Sequence, residues 1–201
     1  PFNGHTDLQH KTLRHVSEAF AEDPLRILRA ARFAARLHPL GFSICPETMA
    51  LMRQMIDDGE LEHLVPERVW QEIQRALHES APTVFFEVLR ELGALAVLIP
   101  ELEDATVFNA GVKALAWTHQ QQGNTAQRFA ALLGAVPEEQ IITRAKAMKS
   151  PNECRDMSRL TCRFMAELSR HPADSISAEE ILELLDTADL WRRSERFDTL
   201  L

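Results

Sequence analysis

The chain contains no tyrosine, and aromatic residues make up only 6% of its 201 residues. Glycine occurs only 7 times, which disfavours a β protein built from tight hairpins. No apolar run approaches the about 20 residues that a membrane-spanning helix requires. The first residues, Pro1 to His5, lack the basic start and apolar stretch of a signal peptide. Because 45% of the residues are hydrophobic, the chain can nevertheless bury a core, and we expect a helical globular protein without a membrane span.

Cysteine occurs three times, at Cys45, Cys154 and Cys162. An odd number without paired spacing argues against a disulfide framework and fits the reducing cytoplasm. Cys154 and Cys162 lie on one predicted helix at a separation of about 12 Å along its axis, which is too far for a disulfide. We therefore expect a cytoplasmic protein with free thiols.

Positive charge is not in excess, because 22 Lys and Arg face 30 Asp and Glu, giving a net charge of −8. Residues 1–100 and 101–201 each carry half of this negative charge, so neither half is a basic domain. This composition argues against broad electrostatic binding to nucleic acid, and we expect no DNA partner. Any contact with RNA must come from a local basic stripe.

The densest basic stripe lies in residues 20–37, FAEDPLRILRAARFAARL. Asp23 is a good N-cap, and Pro24 suits the first helical position, where a missing N–H costs nothing. On a helical wheel the arginines at positions 26, 29, 32 and 36 share an arc of about 120°, opposite an apolar face. Asp23 and Arg26 lie one turn apart, so a carboxylate stands beside a fork of donors, which is complementary to the edge of a nucleobase.

The same spacing also fits a capped helix whose arginines form a solvated face paired with acids such as Glu18 and Glu22. The use of arginine rather than lysine at all four positions favours planar, bidentate contacts. Spacing alone leaves both interpretations open.

Prolines mark the starts of four successive predicted helices, at Pro24, Pro46, Pro66 and Pro82. The second is expected to end near Asp57, the third near Ser80 and the fourth before Gly93. Residues 1–11 are polar and are expected to form turns. The pattern predicts an all-α bundle with short connections and no strands. Methionines at helical spacing in the second helix are interpreted as core filling.

The helical pattern is weaker after Glu101. Helices are predicted at residues 109–118, 126–133, 138–148, 152–170, 178–185 and 188–200, and the polar loop 120–124 is the expected internal break. Ser177 and Glu180 form a capping-box pattern. The arginines near Trp191 are interpreted as a solvated helix face, with Trp191 packed inward, rather than as an RNA contact.

Three ordered motifs carry a resemblance to a known family. The run Leu13–Phe42 resembles the neck motif of the bacterial class II tRNA nucleotidyltransferases, the CCA-adding enzymes. The stretch VPERVWQE at 65–72 resembles the family's next motif, and residues 85–101 continue the series in the same order. The resemblance is strong over residues 1–102. It implies an exit segment from a catalytic head at 1–11, a helical neck at 12–102 and a smaller helical body at 103–201.

The resemblance also implies roles for individual residues. Asp23 and Arg26 would contact the base edge of the incoming nucleotide, and Arg29 its phosphates or sugar. Glu22 is a weaker orienting candidate. Glu67 and Arg68, with Glu72, would orient the reading helix, although Glu67 also fits the favourable first-turn position of an ordinary helix. The implied substrates are CTP and ATP, and the implied partner is tRNA.

The catalytic chemistry of the family is missing from this sequence. Nucleotide addition uses paired carboxylates that hold Mg²⁺ ions, and the family carries them in a D-x-D pair of the head domain. Here Asp57 and Asp58 are adjacent instead of spaced by one residue. We therefore expect a chain that positions a nucleotide without catalysing its transfer, with no catalytic residue of its own. Since the chain does not begin with methionine, we also expect the head to lie upstream in a longer protein.

A second site known from relatives is also missing. Many bacterial relatives carry a phosphohydrolase domain marked by a His-Asp doublet, but the corresponding stretch 128–134, RFAALLG, has neither residue. We therefore expect no metal site in this chain. Two alternatives remain open: a bacterial poly(A) polymerase, which shares the neck, and a non-catalytic helical RNA-binding or scaffold protein.

Overall fold

The computed structural model describes residues 2–170 together with residues 177, 179, 180, 182 and 186. It divides into two compact units, Pro1–Ala105 and Thr106–Leu201. The described residues of both units are mostly helical, so the prediction of an all-α fold is confirmed. The neck and body assignments at 12–102 and 103–201 remain predictions.

The first unit alternates helices with short turns. In chain order its elements are α1 (Gly4–Gln9), β1 (Thr12–Leu13), a 3₁₀ turn (Glu18–Glu22), α2 (Leu25–Leu37), a 3₁₀ turn (His38–Leu40), β2 (Ser43–Ile44), α3 (Pro46–Asp57), a 3₁₀ turn (Glu60–His63), α4 (Pro66–Ala76), α5 (Pro82–Glu91), α6 (Ala94–Leu98) and a 3₁₀ turn (Pro100–Leu102).

Proline opens α3, α4 and α5 at their first residues, as the sequence predicts. Pro24 has helical backbone angles immediately before α2. The helix α4 ends at Ala76, four residues earlier than expected. The chain then turns so that the amide of Ala81 donates to the carbonyl oxygen of Ala35, near the end of α2 (3.1 Å).

The core of the first unit lies where α2 packs against α4 and α5. Ile27, Leu28 and Ala31 of α2 are completely buried, as are Phe85 and Phe86 of α5. The two phenylalanine rings meet edge to face, with centroids 5.0 Å apart. Burial of each large apolar side chain contributes about 1.5–3 kcal/mol, and the small alanines of α2 let its neighbours approach closely.

Two sequence expectations for the first unit were wrong. Residues 4–9 form the helix α1 where only turns were expected. In addition, β1 and β2 form a two-residue parallel ladder, pairing Thr12 with Ser43 and Leu13 with Ile44. Because the two strands flank α2 in sequence, the ladder ties the segment before that helix to the segment after it. Runs this short carry no periodic signal, which explains why the sequence pattern missed them.

The second unit contains α7 (Ala105–Gln120), α8 (Thr125–Leu133), α9 (Glu138–Ala147) and α10 (Asn152–Arg170). The four helices predicted over residues 109–170 are therefore present. The loop 120–124 is not a break, since the chain divides at Ala105 and Thr106. It is a tight connection closed by a capping box between Asn124 and Gln127, with reciprocal bonds of 2.9 and 2.7 Å.

The capping box predicted at Ser177 and Glu180 is confirmed, because each backbone amide donates to the other residue's side chain (2.7 and 3.2 Å). The predicted helices 178–185 and 188–200 lie largely or wholly outside the described residues, as do Trp191 and its neighbouring arginines. Among the described residues, no helix combines the length and apolarity that crossing a membrane requires.

Candidate functional site

Asp23 precedes α2, and both of its carboxylate oxygens are engaged. Oδ1 accepts a hydrogen bond from the amide of Leu25 (3.0 Å), which satisfies an otherwise free donor at the helix start. Oδ2 accepts from the guanidinium of Arg68 on α4 (2.9 Å). Partial burial raises the pKa of Asp23, but the Leu25 amide, Arg68 and the charge of Arg26 outweigh it, so the pKa lies below its ordinary value. The carboxylate is therefore ionised and fixed in direction.

Arg26 lies one turn after Asp23 and is half-buried. Its main-chain amide donates to the carbonyl oxygen of Asp23 (2.9 Å). Its guanidinium donates to the carbonyl oxygen of Ala19 in the 3₁₀ turn before α2. This bond ties the side chain of Arg26 to the 3₁₀ turn before α2. The guanidinium of Arg26 is therefore directed toward this turn, and its positive charge lowers the pKa of Asp23.

Arg26 and Arg29 also border a cavity of about 350 Å³ beside α2. Phe20 and Phe33 contribute apolar wall, and His15 also lines the cavity. The position of His15 is set by Thr48, whose hydroxyl bonds both the His15 amide (3.0 Å) and the imidazole Nδ1 (2.7 Å). The cavity therefore combines an aromatic wall with three arginine side chains, those of Arg14, Arg26 and Arg29, and this combination suits an anionic ligand with a flat apolar part.

Arg32 does not belong to an exposed arginine face, contrary to the helical-wheel prediction. Its side chain is only 11% exposed. Nε donates to Glu72 of α4 (2.7 Å), and a terminal nitrogen donates to Glu79 in the turn after α4 (2.9 Å). The exposed part of the stripe is reduced to Arg29 and Arg36, with Arg26 at its margin.

The predicted orienting residues differ in what they contact. Arg68 reaches Asp23 directly, whereas Glu67 lies exposed in the first turn of α4, where the helix dipole favours an acid. Glu22 is exposed at the end of the 3₁₀ turn before α2. Arg32 of α2 thus pairs with Glu72 and Glu79, acids 40 and 47 residues later in the sequence, and not with Glu18 or Glu22.

Glu72 has a larger structural role than the sequence predicted. It is 3% exposed and binds Arg32 through one oxygen and Arg75 through the other (2.7 and 3.1 Å). The signal was its position: it lies three residues after Val69 and four before Ala76, both on the buried face of α4. An acid on the apolar face of a helix requires a cation from a neighbouring element.

Within the described part of the chain, no three His, Cys, Asp or Glu side chains lie close enough together to hold a metal ion. Asp23 and Glu72 are instead committed to arginines.

Comparison with known proteins gives a consistent set of relatives. Residues 41–106 match the family model described as the probable RNA and SrmB-binding site of polymerase A. The whole chain is 66% identical to a CCA-adding enzyme of Marinobacter nauticus, covering 54% of that protein. It is 46% identical to a multifunctional CCA protein of Pseudomonas putida, again over the whole chain and 53% of the relative.

Solved structures show the same fold at lower identity. A tRNA nucleotidyltransferase complexed with a primer tRNA and an incoming ATP analogue matches the whole chain and 59% of its own length, with a TM-score of 0.70 and 24% identity. A CCA-adding enzyme solved with CTP matches 98% of the chain and 52% of its own length, with a TM-score of 0.62 and 22% identity. The whole chain is thus similar to part of several CCA-adding enzymes, and it spans about half the length of the curated relatives it matches.

Proposed function

We propose that the protein containing this chain is a tRNA nucleotidyltransferase that adds C, C and A to the 3′ end of tRNA from CTP and ATP. This chain would select the incoming nucleotide and help to position the tRNA. The similarity of the whole chain to about half the length of CCA-adding relatives supports the activity. The observation that supports the reading role most directly is the ionised Asp23 carboxylate, held by Leu25 and Arg68 one turn from Arg26.

The chemistry of the bases explains why an acid and an arginine can select C and A together. Cytosine and adenine each present an amino group beside an unprotonated ring nitrogen. A carboxylate accepts from that amino group, and a guanidinium donates to the ring nitrogen. Uracil and guanine present a carbonyl oxygen where the amino group would be, so the carboxylate of Asp23 would face another acceptor. Each bidentate contact of this kind discriminates by about 1–3 kcal/mol.

Arg29 is assigned to the phosphates or sugar of the same nucleotide. It is exposed, lies one turn beyond Arg26 and borders the same cavity. A guanidinium can donate two parallel hydrogen bonds to the oxygens of a phosphate. Because all four nucleoside triphosphates carry the same phosphates, Arg29 would bind them equally. Selection would then depend on Asp23 and Arg26.

Catalysis by the whole protein would require Mg²⁺ held by carboxylates outside this chain, and the ions would activate the attacking 3′ hydroxyl. The acids of the reading site are bound by arginines, so they do not fit a metal-binding role. This chain would hold the base, and the catalytic head would transfer the nucleotidyl group.

The experiment is primer extension by the full-length protein on a tRNA that lacks its terminal CCA. The proposal predicts three additions, C, C and then A, followed by arrest. A tRNA already ending in CCA serves as the control and should gain nothing. A long run of A would show a poly(A) polymerase instead, and no incorporation would favour a non-catalytic RNA-binding protein.

A further inference from the structure

The second unit contains a cleft of about 790 Å³ that is lined by α7, α8 and α10. Much of its wall is apolar, with Ala110, Ala114 and Trp117 of α7 and with Met157 and Met165 of α10. Among the described residues that line the cleft, none carries a charged side chain. The cleft therefore suits a flat, neutral group rather than a free anion.

Trp117 is the most conspicuous side chain of this cleft because it is 56% exposed, whereas Trp70 of the first unit is buried. An aromatic ring of this size is normally covered by apolar neighbours, and its exposure is typical of a binding surface. Met165 of α10 is exposed as well and lines the same cleft. Methionine sulfur makes favourable contacts with aromatic rings and adapts to their shape. Two helices thus each contribute an exposed side chain suited to a flat ring.

The connection between α7 and α8 gives the cleft a rigid wall. The amide of Gly123 donates to the carbonyl oxygen of Thr118 (2.9 Å), and the carbonyl oxygen of Gly123 accepts from Nε of Arg128 (2.6 Å). A Cβ at Gly123 would lie 2.5 Å from Cγ2 of Thr118, so the turn is closed tightly against α7. Both residues line the cleft. A ligand would therefore bind without first having to order this loop.

The charge around the cleft favours a polyanion. Residues 105–137, which include α7 and α8, contain no Asp or Glu, although the chain has 30 of these acids. Lys113 is exposed one turn before Trp117, and no acid lies within one helical turn of it on either side. Acids elsewhere on a chain of net charge −8 would repel phosphates. This acid-free surface is therefore complementary to nucleic acid.

The arrangement of Trp117, Lys113 and Gln121 matches the way in which proteins bind unpaired nucleotides. Bases stack on exposed aromatic rings, and cations beside the rings contact the phosphates. Lys113 and Trp117 are about 6 Å apart along α7, so a nucleotide whose base lies against the ring can place a phosphate near the ammonium group. Gln121 is exposed and lines the cleft, where its amide can donate to or accept from a base edge.

We propose that the cleft beside Trp117 binds one unstacked nucleobase of the tRNA, with the ring of Trp117 against the face of the base and Lys113 at an adjacent phosphate. This inference rests on the proposed function, which supplies tRNA as the partner. The site uses residues other than Asp23 and Arg26. It would therefore strengthen tRNA binding without selecting the incoming nucleotide.

The test measures the Kd of the full-length protein for a tRNA that lacks its terminal CCA, at several salt concentrations. Trp117→Leu keeps an apolar side chain but removes the aromatic face, whereas Trp117→Phe keeps a ring. Lys113→Gln removes the charge beside the cleft. Ile142→Ala is the control, since Ile142 is an exposed apolar residue of α9 that does not line the cleft. Chemical probing of the bound tRNA then identifies the base that the cleft covers.

We expect the Kd to rise about tenfold in Trp117→Leu and less in Trp117→Phe, because base stacking requires an aromatic face. Lys113→Gln should reduce the slope of log K against log salt by about 0.7–0.9, the value for one phosphate contact. Trp117→Leu should leave that slope unchanged, and Ile142→Ala should alter neither quantity. One base that wild-type protein protects should become reactive in Trp117→Leu, while selectivity for CTP over UTP stays at the wild-type value.

The inference is overturned if both Trp117 variants keep the wild-type Kd and no base changes its reactivity. Equal losses in Trp117→Leu and Trp117→Phe would also contradict stacking. A changed sedimentation coefficient with unchanged tRNA binding would assign the cleft to a second copy of the chain instead. In each case continued addition of C, C and A would leave the proposed function standing. A wild-type protein that neither bound tRNA nor added nucleotides would refute the proposed function itself, and the inference with it.

Discussion

Arg68 of α4 donates a 2.9 Å hydrogen bond to the carboxylate of Asp23, 45 residues earlier in the sequence. The pair connects the residue assigned to reading the base with the next motif of the family resemblance. Arg68 is 49% exposed on its side chain, so the bond contributes little to global stability. Its consequence is local, because it fixes the direction of one carboxylate.

Replacing Arg68 by Gln should therefore reduce nucleotide selectivity while leaving the stability of the protein nearly unchanged. We expect the free energy of unfolding to change by less than about 1 kcal/mol, the range of exposed ion pairs. Discrimination between CTP and UTP should fall, since Oδ2 of Asp23 loses its partner. Chemical denaturation and single-nucleotide kinetics on the full-length protein measure the two effects. Arg53→Gln, an exposed arginine of α3, is the control, and equal selectivity in both variants would contradict the expectation.

Replacing Glu72 by Gln should strongly destabilise the first unit. The residue is nearly fully buried and binds two arginines, so its neutralisation leaves Arg32 with one remaining charged partner. Breaking a buried pair from one side costs about 3 kcal/mol. Urea denaturation measures the loss, with the exposed Glu62→Gln as the comparison. A cost below about 1 kcal/mol would mean that the pair is well hydrated in solution.

Replacing Gly111 by Ala should destabilise the second unit. A Cβ at this position would overlap the carbonyl oxygen of Leu132, which belongs to the backbone of α8 and cannot move aside alone. We expect a loss of about 1–3 kcal/mol, typical of overpacking. Gly4→Ala is the control, because a Cβ there meets no atom within 4 Å. Equal melting temperatures for the two variants would show that α7 and α8 do not pack this closely.

The ion pairs of Glu138 should make stability depend on pH. Hydrogen bonds from Arg163 and then Arg159 outweigh burial and lower the pKa of Glu138. A lowered folded pKa means that the contribution to stability is complete above the unfolded pKa and is lost as the pH falls through the folded pKa. The wild type should therefore exceed Glu138→Gln in unfolding free energy at pH 7, and the difference should shrink below about pH 4. A difference that did not vary with pH would contradict these pairs.

The sequence predicted the helices well because their signals are local. Pro46, Pro66 and Pro82 mark helix starts, and Gly93 takes the positive φ angle expected after α5. The β1–β2 ladder was missed because two-residue strands lack a pattern. The role of Arg32 was misassigned because its partners Glu72 and Glu79 lie 40 and 47 residues away. A helical wheel gives the direction of a side chain but not the element that meets it.

The central claim is that Asp23 and Arg26 choose the nucleotide. The most direct measurement is the selectivity of Asp23→Ala and Arg26→Ala in the full-length protein, as kcat/KM for CTP and ATP against UTP and GTP. We expect each variant to lose about tenfold to a hundredfold of this selectivity, corresponding to about 1–3 kcal/mol per contact. Wild-type selectivity in both variants would contradict the account and reduce this surface to a capped helix with a charged exterior.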